Sequence, residues 1–269
     1  MAASSRMMTE KSQGMIITSQ SNERIKNIKG LRESTAKRRR ESLYIVEGEK
    51  MFLEAPPGEI AEIYVSESFA ERRGEMLKGR SGVTVTSDAV FKKISGTVTP
   101  QGILCVMRQK KYDLSEILAA EGTKRFLVLE RVSDPGNVGT MIRTAECADV
   151  TAVIADGETA DRFNPKVIRS TMGSIFRMPY VVTDDLNESV RSLKKAGVRV
   201  YGAHLAGERT YDSIDYPSLS AIMIGNESAG LSDDISKEAD ELVRIPMAGK
   251  AESLNAAVAA AILMYASVR

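Results

Sequence analysis

The chain has 269 residues, of which 43% are hydrophobic and 27% charged, a balance that excludes wholesale disorder and collagen-like architecture. Its 37 basic and 36 acidic residues leave a formal charge of +1, so any surface for a polyanion must be local. One histidine, His204, and two cysteines, Cys105 and Cys147, exclude a multi-histidine or cysteine-rich metal centre and a disulfide framework.

The length allows one large domain or two modest ones. Residues 1–14 lack the apolar centre of a secretory signal and read as a flexible leader, with Met15 opening the first apolar run. Arg24, Lys26, Lys29, Arg32, Lys37, Arg38, Arg39 and Arg40 then crowd one short stretch beside a single acid, Glu33. Ile25, Ile28 and Leu31 recur within it at the spacing of one helical face. Strands are expected at Leu43 to Gly48, Glu62 to Ser66, Val83 to Thr86 and Gly102 to Met107, with helical or loop segments between them. Residues 15–107 therefore read as a small α/β domain, and the polar stretch 108–124 as a linker.

From residue 125 onward the alternation of strand and helix is sustained. Strands are expected at Phe126 to Val132, Thr151 to Ala155, Val198 to Leu205, Ala221 to Gly225 and Glu241 to Met247. Helices are expected from about Asn137 to Cys147, from Pro165, from Leu186 to a stop at Gly197, and from Ser253 to Val268. Continuous apolar strands between helices predict a parallel sheet covered on both faces. The alanine-rich closing run is too short and too polar at Asn255 to span a membrane, and the expected compartment is the cytoplasm.

Three loops follow strands, where ligands bind in open α/β sheets. In Ser133 to Val150, Pro135, Gly136 and Gly139 predict a tight turn into a helix whose free N–H groups favour an anion; Asn137 and Arg143 lie beside that mouth, Arg143 on a different face. Val138, Ile142, Ala145 and Asp149 form the other stripe. In Ala221 to Asp234, Gly225 permits close backbone approach, Gly230 a turn, and Glu227 sits between them. In Arg244 to Ile262, Ser253 is the expected helix cap, Leu254, Val258 and Ile262 the expected core stripe, and Asn255 faces either solvent or a site. Neither a G-x-G-x-x-G loop nor a Walker loop occurs, which weighs against a dinucleotide-dependent oxidoreductase.

Asn137-Val-Gly-x-x-x-Arg143-Thr-Ala, Ile224-Gly-Asn-Glu227-x-x-Gly230-Leu and Ile245-Pro-Met-x-x-x-x-Glu252-Ser-Leu-Asn255 together resemble the three motifs of the SpoU/TrmH family of the SPOUT superfamily. Members are S-adenosylmethionine-dependent RNA ribose 2′-O-methyltransferases. Asn164-Pro-Lys-Val-Ile-Arg169 through Gly173-Ser adds to the likeness. Residues 15–107 resemble the ribosomal-protein-like substrate-binding module of many members, through Thr18-Ser-x-x-Asn22-x-x-Ile25-Lys26 and Val46-Glu-Gly48.

The resemblance implies a methyltransferase domain over 125–269, with a parallel sheet and a trefoil knot, a topology that general folding rules would never suggest. It implies an S-adenosylmethionine pocket lined by Leu205, Gly225, Ile245, Met247 and Leu254, and no metal. Asn137, Arg143, Glu227, Ser253 and Asn255 are the implied catalytic residues. In the family Arg143 is taken to help activate the ribose hydroxyl, with Asn137 placing it. A guanidinium holds its proton tightly, so gripping a phosphate and stabilising the developing alkoxide is the other role open to it. Glu227 would orient Arg143 or Asn137; Ser253 and Asn255 would hold the cofactor loop or the ribose.

RNA contacts are expected from Lys37, Arg38, Arg39 and Arg40, with Lys166 and Arg169 near the target nucleotide and the acidic stretch Asp233 to Glu241 facing away. Further expectations are a homodimer whose active site borrows residues from the partner, a structural or pocket-edge His204, and two buried, inert thiols. The favoured substrate is ribosomal RNA. A tRNA 2′-O-methyltransferase, or a non-catalytic RNA-binding assembly factor that keeps the fold, are the alternatives.

Overall fold

A computed structural model describes residues 16–268; the leader expected over residues 1–14, and Met15, lie outside the described residues. Contacts divide the chain into two compact units, Met1–Lys110 and Lys111–Arg269.

The first unit contains α1 (Glu23–Glu33), α2 (Thr35–Glu41), β1 (Leu43–Glu47), α3 (Glu49–Glu54), β2 (Ile60–Ser66), α4 (Glu67–Arg73), β3 (Val83–Thr86), α5 (Asp88–Ile94) and β4 (Ile103–Arg108). Its strands form one mixed sheet in the order β1-β4-β2-β3, parallel only between β2 and β3. The expected stripe Ile25, Ile28 and Leu31 is buried, against Tyr64, Phe91, Ile94 and Leu104. The four-residue basic run divides. Arg38 is only 2% exposed and donates to the carbonyls of Leu31 (2.8 Å) and Arg32 (3.2 Å) and to Thr35 Oγ1 (2.8 Å). Those carbonyls belong to the open C-terminal turn of α1, which needs donors, so Arg38 serves the fold and is corrected as an RNA contact. Lys37 and Arg40 pair with Glu41 at 3.6 and 3.2 Å, while Arg39 is exposed.

The second unit begins inside the expected linker. Residues 108–124 contain α6 (Leu114–Ala119), capped by Asp113, whose Oδ1 accepts from the Ser115 amide at 2.7 Å. Leu114, Ile117 and Leu118 pack on the sheet, so residues 111–124 of this stretch belong to the second unit, while 108–110 close the first. There follow β5 (Lys124–Leu129), α7 (Pro135–Cys147), β6 (Ala152–Asp156), α8 (Pro165–Thr171), β7 (Tyr180–Thr183), α9 (Leu186–Lys195), β8 (Arg199–Ala203), β9 (Arg209–Thr210), β10 (Leu219–Ile224), α10 (Asp233–Glu238), β11 (Glu241–Arg244) and α11 (Ala256–Ala266). The seven strands form a wholly parallel sheet in the order β7-β6-β5-β10-β8-β11-β9.

Both faces of this sheet are covered, as its apolar strands require. Leu127 and Leu129 point to the side of α7 and α11; Phe126 and Val128 point to the side of α9 and α10. The chain runs outward from β5 to β7, then returns to the other side of β5 by β8 and β10. Neighbours β5 and β10 therefore mark a switch point, where a crevice opens beyond the carboxyl ends of the strands. At Gly139 of α7 an added Cβ would lie 2.5 Å from Ser170 Cβ and 2.6 Å from the Val167 carbonyl, so this glycine lets α8 seat α7 closely.

The closing helix departs from expectation at its start. It begins at Ala256, and its cap is Asn255, whose Oδ1 accepts from the amides of Ala257 (2.9 Å) and Val258 (3.3 Å); Ser253 lies before it. The buried face is Ala256, Ala257, Ala260, Leu263 and Met264. Small residues let α11 lie close to α7, which turns the expected core stripe outward: Leu254 is 37% and Val258 47% exposed, and Ile262 is half-buried. Cys105 is buried as expected and its thiol is pushed up to about 12 by desolvation, but Cys147 is exposed at the end of α7. No helix among the described residues is long and apolar enough to cross a membrane.

Candidate active site

The loops after β8, β10 and β11 surround one cleft of about 260 Å³ at the carboxyl edge of the sheet. Leu205, Gly225, Ile245, Met247 and Leu254 all line it, together with Ala203, Ile224 and Val243. Ser253 and His204 also reach its wall. Gly225 has no room for a side chain. A Cβ there would fall 2.1 to 2.3 Å from backbone atoms of Gly230 and Leu231, because the β10 loop folds back on itself. The amides of Asn226 and Gly230 each donate to the other's carbonyl, at 3.1 and 2.9 Å, closing that loop.

Glu227 turns from the cleft wall toward the start of α7. Its carboxylate accepts from Ser133 N–H and Oγ, from Asp134 N–H and from Asn137 Nδ2, each at 3.0 Å. Partial burial pushes this carboxyl up, yet the donors from Asn137, Asp134 and Ser133 outweigh that effect and hold it at about 2. Asp134 caps the helix itself, accepting from the Asn137 amide at 2.8 Å and pairing with Lys166 at 3.1 Å. The anion site expected at this helix mouth is thus filled from within by two carboxylates, which satisfy the donors an external phosphate would have used.

Asn137 in turn accepts from Asn255 Nδ2 at 2.9 Å through its Oδ1. A hydrogen-bonded chain Glu227–Asn137–Asn255 therefore ties the three sequence motifs together at one place. Of the expected catalytic residues, Ser253 joins this place through the cleft wall. Arg143 does not. It lies six residues beyond Asn137 on α7, about 9 Å farther along and roughly 120° around the helix. It is exposed and forms no hydrogen bond or ion pair with the described residues. Arg169 is likewise exposed on α8.

Two supporting residues were missed from the sequence. Asn226 donates from Nδ2 to the Arg131 carbonyl (2.8 Å), while its Oδ1 accepts from the amides of Ser228 (3.0 Å) and Ala229 (3.1 Å). Glu130, buried at the end of β5, accepts from the Ser232 amide (2.7 Å) and Oγ (2.6 Å). Its signal was present: a lone acid closing an apolar strand has to find buried donors. No group of three or more His, Cys, Asp or Glu among the described residues is arranged to hold a metal ion.

Residues 124–265 match the SpoU rRNA Methylase family, and residues 22–105 match the MRM3-like substrate binding domain. The chain is 37% identical over 251 residues to the 23S rRNA (guanosine(2553)-2′-O)-methyltransferase RlmP of Bacillus subtilis, covering 93% of this chain and 97% of that relative. It is 33% identical over 222 residues to the 23S rRNA (guanosine-2′-O-)-methyltransferase RlmB of Bordetella pertussis, covering 79% and 90%. Among solved structures, an AdoMet-bound rRNA methyltransferase from Sinorhizobium meliloti superimposes with a TM-score of 0.83 at 34% identity, over 93% of this chain and 96% of that one. The SpoU methyltransferase AviRb from Streptomyces viridochromogenes, in complex with AdoMet, superimposes with a TM-score of 0.81 at 27% identity, over 92% and 98%.

Proposed function

This chain belongs to the SpoU rRNA methylase family, and on that premise we propose that it is an S-adenosylmethionine-dependent methyltransferase acting on a ribose 2′-hydroxyl of ribosomal RNA. The observation that carries this reading is the cleft after β8, β10 and β11, into whose wall all five expected cofactor residues converge beside the Glu227–Asn137–Asn255 chain. Relatives bearing 23S rRNA 2′-O-methyltransferase names, and neighbours with AdoMet bound, support the substrate and the cofactor.

The residues present fit the cofactor. Ile224, Val243, Ile245 and Leu254 offer apolar walls to a purine and a methionine chain, and Gly225 lets the β10 loop fold back tightly to shape one side of the cleft. S-adenosylmethionine supplies, when bound, the activated methyl group. What this chain supplies is alignment and charge placement. Glu227 fixes the α7 turn and orients Asn137, and Asn255 holds Asn137 from the α11 side. Arg143 grips the phosphate beside the target ribose and stabilises negative charge developing on the 2′-oxygen.

Arg143 does this across a homodimer. Its outward, unpartnered position away from the cleft supports that reading, as does the exposed apolar line of Leu254, Val258 and Tyr265 at α11, which a second copy would cover. The trefoil knot belongs to the same proposal, since the loops after β10 and β11 wrap one cleft. Lys37, Arg39 and Arg40 of the first unit, with Lys166 and Arg169 of the second, supply phosphate contacts. The site of action is the cytoplasm.

Labelled methyl transfer from S-adenosylmethionine to total RNA tests the function. Label at a ribose 2′-position of ribosomal RNA is the expected outcome; label confined to tRNA, or none at all, overturns it.

A further inference from the structure

The polar side chains on the cleft wall are His204, Asn226, Glu227, Ser228 and Ser253. Two of them are already committed elsewhere: Asn226 to Arg131, Ser228 and Ala229, and Glu227 to Ser133, Asp134 and Asn137. The two serine hydroxyls rotate and serve as donor or acceptor. His204 differs from all four.

Its backbone is pinned at the end of β8. The His204 amide donates to the Val243 carbonyl and its carbonyl accepts from Gly207, both at 3.0 Å. Its ring is fixed as well, because Nδ1 accepts from the Ala206 amide at 3.1 Å. A neutral imidazole that accepts at Nδ1 must carry its proton on Nε2. Among the described residues Nε2–H has no acceptor, and His204 is a residue of the cleft wall.

We propose that His204 is a cofactor-contacting residue, donating from Nε2 to an acceptor atom of bound S-adenosylmethionine. This rests on the reading of the cleft as the cofactor site. An ammonium has no lone pair, and the one left on a positively charged sulfonium sulfur is too weak an acceptor for such a bond. The partner is therefore the carboxylate, a ribose oxygen or a purine nitrogen, and His204 excludes the cationic centre from its own side of the cleft.

Because the chain has a single histidine, its imidazole gives one set of resonances and needs no assignment. Labelled protein is titrated with S-adenosylhomocysteine while calorimetry reports occupancy. The His204 Nε2 and Cε1 resonances should shift with occupancy. Adenosine alone reproducing the shift identifies the nucleoside as acceptor; methionine alone reproducing it identifies the carboxylate. His204→Asn keeps an acceptor where Nδ1 lies but removes the Nε2 donor, and should raise Kd about tenfold with an unchanged melting temperature. His204→Gln, which restores an amide donor at that depth, should recover most of the affinity. Unshifted resonances at calorimetric saturation, or wild-type affinity in His204→Asn, overturn the role of His204 and leave the cofactor reading standing. Absence of any binding heat overturns the cofactor reading and the proposal with it.

Discussion

Asn255 and Asn137 are 118 positions apart in sequence, yet the side-chain amide of one donates to the side-chain carbonyl of the other at 2.9 Å. The same Asn255 caps α11 with its Oδ1, so one residue starts a helix and ties it to the first turn of α7. Asn255→Ala should cost about 1 kcal/mol of stability from the lost cap. It should also lower kcat at least tenfold by releasing Asn137. A double-mutant cycle with Asn137→Ala, read by urea unfolding, should give a coupling of about 1 kcal/mol; strict additivity would mean the contact carries no energy.

Glu227 lends the site a pH signature. Its folded-state pKa of about 2 lies below the ordinary carboxylate range, so its contribution to stability is complete above that range and fades as pH falls toward 2. Glu227→Gln places an amide where donors already converge and should lose about 2 kcal/mol at pH 7. Between pH 5 and 2, about the interval over which a depressed carboxylate takes up its proton, the variant should show a shallower decline in urea midpoint than the parent chain. Equal slopes would remove Glu227 as the source.

Arg143→Ala should abolish methyl transfer while S-adenosylmethionine still binds, since Arg143 is not on the cleft wall. Mixing inactive Arg143→Ala with inactive Gly225→Val should restore activity, because a mixed dimer pairs one intact cleft with one intact arginine. Failure of complementation in verified heterodimers would return Arg143 to acting within its own chain.

The basic run of α2 should separate by burial. Arg38→Ala strands the carbonyls of Leu31 and Arg32 and should cost about 2 kcal/mol, read as a lower melting temperature of the first unit. Arg39→Ala with Arg40→Ala should leave melting unchanged, weaken RNA binding and flatten its salt dependence. An unaltered salt slope would make these two a solvated helix face.

The sequence alone determined the alternation of strand and helix, the parallel sheet of the second unit, and the three loops that meet at the candidate site. Apolar strands, prolines at helix starts and glycines at stops act over a few residues and can be read one segment at a time. Leu205, Gly225, Ile245, Met247 and Leu254 came from the resemblance and not from local patterning, and all five line the cleft.

Tertiary structure decided whatever depends on distant partners. Whether the donors at the mouth of α7 were open to an anion depended on Asp134 taking the Asn137 amide and on Glu227, some 90 positions away, turning back to accept from Ser133, Asp134 and the Asn137 side chain. Whether Arg38 met solvent depended on the carbonyls of α1 needing donors, and whether Val258 was core depended on how closely alanines let α11 approach α7. Hydrogen bonds and packing contacts pair groups by position in space. Spacing along the chain fixes which face of a helix a residue occupies, and only the assembled fold fixes what that face meets.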